Sequence, residues 1–77
     1  MKHRITRQIG KYVCAITTMK YQIMVTDFEN YKVTIRQFQP TEEYLGDIIC
    51  DTAEDADKVI RELADIFEKK EGAYYAE

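Results

Sequence analysis

Between Thr52 and Glu71 apolar residues recur at spacings of three and four. They are Ala53, Ala56, Ile60, Leu63 and Phe67, with Val59 and Ile66 widening the stripe. That period belongs to a helix with one buried face, so the rest of the chain must supply a surface for it to cover. The flanks agree with the period. Thr52 can accept from an orphan backbone N–H, and Asp55 can reach back toward it, as in a capping box. Asp51, Glu54, Asp55 and Asp57 put negative charge at the positive end of the helix dipole. Lys69 and Lys70 stand at the other end, and Gly72 is a suitable stop. Glu54–Lys58, Asp57–Arg61, Lys58–Glu62, Arg61–Asp65 and Asp65–Lys69 are each four apart, as on a solvated outer face, and such pairs contribute ~0.3 kcal/mol each.

The surface to be covered lies upstream. KYVCAIT (11–17), KYQIMVT (20–26), NYKVTIR (30–36) and EYLGDII (43–49) share a pattern of Tyr in second place and an aliphatic residue four positions on. Strand periodicity puts Tyr12/Cys14/Ile16, Tyr21/Ile23/Val25, Tyr31/Val33/Ile35 and Tyr44/Gly46/Ile48 on one sheet face. The content of Val, Ile, Thr and Tyr suits strands. Turn chemistry is good at Asp27–Asn30 and Gln39–Glu42. It is poor at Thr18-Met19-Lys20, which has no Gly or Asn, so residues 11–26 are either a hairpin or one long bent strand with a bulge. Residues 1–10 fit an edge strand, a helical turn or a flexible basic arm. The expected fold is α+β, an antiparallel meander of three to four strands packed by one long C-terminal helix over 52–71, with a tail at 72–77. Seventy-seven residues make one domain.

The opposite sheet face is mixed: Val13, Ala15, Thr17, Gln22, Met24, Thr26, Lys32, Thr34, Arg36, Phe38, Leu45, Asp47 and Ile49. A sheet with one helix normally leaves a polar outer face. Something is therefore expected to cover this one: the N-terminal arm, the Tyr74-Tyr75 tail, a second copy or a partner. Met24, Phe38 and Leu45 are the candidate interface residues.

Several chemistries lack their residues. There is no serine, His3 is the only histidine, and three scattered glycines form no phosphate loop. No metal ligand set, cofactor motif or nucleophile–base pair can be assembled, so neither an enzyme nor a metal site is expected. Cys14 and Cys50 have no metal-ligand spacing and fall on the tyrosine face, where each reads as a small hydrophobe, with a disulfide between them left open. No apolar run is long enough to span a membrane, and the basic start MKHRITRQIG has no apolar core of a secretory signal. A cytoplasmic, reducing setting is the expectation. Charge is unevenly spread: residues 1–40 hold seven basic and two acidic side chains, residues 41–77 four and twelve.

The run YLGDIICDTAEDADKVI, with Leu45-Gly46 and then Thr52-Ala53-Glu54-Asp55-Ala56, resembles the last strand and helix start of ethylene-response-factor and integrase-arm DNA-binding domains over about residues 31–67. The resemblance implies three antiparallel strands backed by a helix, with DNA contacted from the sheet by residues that reduce here to Lys32 and Arg36.

Two functions of different kinds are expected. One is a small non-catalytic protein of mobile-element or phage type, an inhibitor or adaptor that occupies a protein partner. Glu54, Asp57, Asp65 and Glu68 would carry it, imitating phosphates toward a nucleic-acid-handling enzyme. The other is a DNA-binding module using Arg4, Arg7, Lys11, Lys32 and Arg36, whose binding would be steeply salt-dependent. A homodimer through the mixed face is a third reading.

Overall fold

A computed structural model of the chain describes residues 4–70. His3, Gly72 and Tyr74-Tyr75, on which expectations were placed above, lie outside the described residues. Five strands form one antiparallel sheet in sequential order: β1 (Arg4–Ile9), β2 (Tyr12–Thr18), β3 (Tyr21–Asp27), β4 (Lys32–Gln37) and β5 (Glu43–Ile49). One helix, α1 (Ala53–Lys70), packs on one face. The sheet thus has five strands where three or four were expected. The addition is β1, whose alternating Ile5, Arg7 and Ile9 suit an edge strand paired on one side only.

Residues 11–26 are a hairpin, not a bent strand. Thr18 closes it in place of the missing Gly or Asn. Its hydroxyl accepts from the backbone N–H of Lys20 and of Tyr21, both at 3.2 Å. The Lys20 carbonyl in turn accepts from Phe38 N–H at 2.6 Å, which ties this turn to the end of β4. In the β3–β4 turn Asp27 accepts from the N–H groups of Glu29 and Asn30, and from the Asn30 amide. These bonds, the Asn30 amide first, hold the Asp27 carboxyl below its ordinary range. Tyr31 stands in this turn at φ 48°, so β4 begins one residue later than its tyrosine.

Pairing across the sheet defines its two faces. One row reads Thr6, Ile16, Ile23, Ile35, Gly46, and another Arg7, Ala15, Met24, Thr34, Asp47. The first lies under α1, where Ile16 and Ile23 join Val13, Tyr21, Val25, Val33, Ile35, Ala56, Ile60 and Ala64 in the core. The second lies on the outer face.

The common tyrosine face holds only in part. Tyr21 is buried and stacks at 5.1 Å against Phe67, but Tyr44 is 60% exposed on the outer face. The cause is a slip in register: Ile35 pairs Gly46, yet Arg36 pairs Tyr44, leaving Leu45 as an extra residue. One extra residue puts the strand on its two sides out of step, so the side chains before it turn to the face opposite the one that the later residues imply. The same happens at Cys14, between the Arg7–Ala15 and Gln8–Val13 pairs, and it carries Val13 from the expected outer face into the core.

The helix starts where the sequence indicates. Asp55 N–H donates to Thr52 Oγ1 at 3.1 Å, and Ala56 N–H to the Thr52 carbonyl at 3.1 Å. Thr52→Ala is expected to cost about 1 kcal/mol, read as a lower urea midpoint with an unchanged slope. The buried stripe includes Ala64, which the sequence reading passed over, and omits Ile66, which is 57% exposed.

Candidate functional site: the acidic groove between helix and edge strand

α1 lies closest to β2, touches β3 and β4 less, and among the described residues its backbone comes close to neither edge strand, β1 or β5. Its two flanks therefore meet different surroundings. On the flank toward β1 and β2, Asp57 Oδ1 accepts from Val13 N–H at 2.7 Å, and Arg61 Nε donates to both Asp57 oxygens at 3.1 Å. Val13 N–H borders the register slip at Cys14, so the helix carboxylate supplies a partner just where the strand ladder is interrupted. That bond, ahead of the Arg61 guanidinium, holds the Asp57 carboxyl below its ordinary range against the opposing effect of burial. Further along the same flank Glu68 pairs with Arg4 of β1.

These contacts redistribute the residues proposed above as sites. Asp57 and Glu68 were placed on a solvated acidic face; both are half-buried and bonded to the sheet. Arg4, assigned to the basic set, neutralises Glu68. Glu54 and Asp65 remain exposed. Of the other basic residues, Lys11 sits in the β1–β2 turn over the Tyr12 ring at 5.5 Å. Arg7, Lys32 and Arg36 share the outer face. The row pairings put Arg7 and Arg36 three strands apart, roughly 14 Å across the sheet.

On the outer face Tyr44 donates to Asp47, Thr34 donates to Asp47 at 2.8 Å, and Thr34 bonds Thr26 at 2.6 Å. The Tyr44 and Thr34 hydroxyls hold the Asp47 carboxyl below its usual range, and the same bond pushes the Tyr44 phenol up. The proposed interface residues do not converge. Met24 lines a shallow hollow with Ile5, Arg7 and Gln22, whereas Phe38 lines another with Arg36, Glu43 and Tyr44. Leu45 sits at the slip in β5.

The flank of α1 toward β5 is different. Val59 and Asp55 face Ile48, Ile49 and Cys50 across an open hollow of about 360 Å³, rimmed by Asp51, Lys58 and Glu62. Val59 and Leu63 are half-buried and Ile66 exposed, so the apolar stripe of α1 extends past the sheet it covers. Ile48, opposite the fully buried Val33, is 37% exposed. Cys50 is a free thiol, as is Cys14. Burial first, then the carboxylates of Asp55 and Asp51, push the Cys50 thiol above its ordinary range.

Among the described residues no group of three or more His, Cys, Asp or Glu is placed to hold a metal ion. None of their helices is long and apolar enough to cross a membrane. No family model matches the chain, and neither does any curated protein or solved structure. Sequence reasoning found the acidic helix but missed the groove, because the off-centre seating of α1 leaves no periodic trace. The surplus width of the stripe at Val59 and Ile66 was the available signal.

Proposed function

We propose that this chain is a small non-catalytic binding protein, an inhibitor or adaptor that occupies a surface of a protein partner through the acidic side of α1. The observation that carries this reading is the seating of the helix, which leaves an apolar channel at Ile48, Cys50 and Val59 under an acidic rim. Apolar floor and charged rim are the ordinary anatomy of a protein-binding surface. The residues that serve it are Asp55, Glu62 and Asp65, with Glu54 beside them, whereas Asp57 and Glu68 hold the fold. A nucleic-acid-handling enzyme with a basic surface belongs to the class of partner such a rim would suit, and mobile elements and phages are the kind of source the reading favours.

The test is the triple variant Asp55→Lys, Glu62→Lys, Asp65→Lys, measured against the partner co-purified with the wild-type chain. Loss of binding with an unchanged circular dichroism spectrum is expected, and unchanged binding would overturn the reading.

A second reading, a DNA-binding module, draws on the placement of Arg7, Lys32 and Arg36 on the face away from the acidic helix. That arrangement lets the basic side approach phosphate while the acidic side points away. It also suits the likeness of residues 31–67 to sheet-plus-helix DNA-binding domains. Asp47 lies within the same face, and Arg4 is already paired. An anisotropy titration with mixed-sequence duplex at low salt separates the two readings: the favoured one expects no binding.

A further inference from the structure

The channel beside α1 has the chemistry of a docking groove, an apolar floor under a charged rim. Five strands at ~4.8 Å spacing make a sheet about 19 Å wide, and a helix with its side chains covers about 10 Å of it. α1 packs over β2, β3 and β4, whose Val33 and Ile35 are buried beneath it, so on this side only β5 is left without helical cover. The two edges differ in composition as well. Beneath the charged flank of α1 the edge strand offers Arg4, which the helix answers with Glu68. Beneath the apolar flank the edge strand offers Ile48, and the helix answers with Val59, along whose flank Leu63 and Ile66 follow at helical spacing. Gly46 pairs Ile35 on the helix side, and a Cβ added there would meet nothing within 4 Å, so the space over it is open.

We infer that this channel receives an amphipathic helix from the partner, one with an apolar stripe and a lysine- or arginine-bearing flank; the inference rests on the function proposed above. A helix is favoured over an added strand because β5 is interrupted at Leu45, with Gly46 at φ 145°, and an incoming strand would have only a short run to pair along. The charge of the occupant follows from the rim, where Asp51, Asp55 and Glu62 outnumber Lys58. A second copy fits less well, since β5 pairing β5 would set acidic rim against acidic rim.

The experiment is an NMR amide-shift titration of the full chain with three synthetic probes. These are a helical peptide about four turns long with leucines on one stripe and lysines on its flank, the same peptide with glutamate for lysine, and a strand-forming peptide alternating valine and lysine. The lysine helix is expected to shift Ile48, Cys50, Val59, Leu63 and Ile66. Its affinity should fall about tenfold with the glutamate flank, and again with Ile66→Asp, which alters an exposed residue and leaves the fold intact.

Equal binding of the two helices, shifts elsewhere, or no binding would overturn the inference. So would a channel already filled by a second copy, seen as a concentration-dependent mass, or by residues 71–77, seen as binding only after their removal. If the strand peptide binds and moves the β5 amides, the helical occupant is wrong but a protein-binding groove stands. If no peptide binds and duplex DNA shifts Arg7, Lys32 and Arg36, both fall together.

Discussion

Truncating Ile60 to alanine is expected to remove about 3 kcal/mol of stability. Ile60 is fully buried at the centre of α1, in the core cluster with Ile16, Ile23 and Val33. The change removes three carbon atoms and leaves a cavity that neighbours on a hydrogen-bonded sheet cannot readily close. A domain of this length has on the order of 4–11 kcal/mol in total, so the loss is a large fraction of it. The urea midpoint followed by far-UV circular dichroism should drop accordingly. Ile66→Ala, at an exposed position on the same helix, should fall within about 0.5 kcal/mol of wild type. Similar losses at both positions would contradict the seating of the helix described above.

Asp57→Ala is expected to cost about 2 kcal/mol, more than an exposed helix carboxylate should. The variant strands Val13 N–H next to the slip at Cys14 and frees Arg61. Its pH signature has a definite sign. The folded state holds Asp57 below its ordinary value, so the unfolded chain binds the proton more readily. The stabilisation is therefore complete above the unfolded value, near pH ~4, and is lost as pH falls through the lower folded value. Wild type and variant should differ most at neutral pH and converge in acid, as urea midpoints taken down the pH scale would show. Asp27 and Asp47 are shifted in the same direction, so the variant retains some acid sensitivity. A gap that stays constant with pH would mean that the carboxylate charge does not hold the contact.

The α+β class, the helix with its Thr52 cap, and most of the core were legible because each rests on a repeating spacing. What escaped were departures from spacing. A period of two assigns Val13 to the outer face and Tyr44 to the inner, and one extra residue at Cys14 and another at Leu45 reverse both. Nothing in composition marks such a slip beyond Gly46 beside it. The hairpin at Thr18–Tyr21 was obscure for a related reason: a threonine hydroxyl does what Gly or Asn does in commoner turns. At the candidate site, counting carboxylates could not separate Asp57 and Glu68, which bind the sheet, from Asp55 and Glu62, which line the groove. That difference depends on where a straight helix sits across a five-stranded sheet, a quantity with no local expression in the chain.

The sequential strand order bears on how the chain is made. Every strand pairs with the one synthesised just before it, so the sheet can grow hairpin by hairpin as it leaves the ribosome, closing only short loops. The helix emerges after all five strands, and its main contact is with β2, more than thirty residues upstream. Until then Ile16, Ile23 and Val33 have no cover, and the nascent sheet is an apolar surface with two unpaired edges. The interval between translating β5 and completing α1 is therefore when the chain is most exposed to aggregation or to capture by a chaperone.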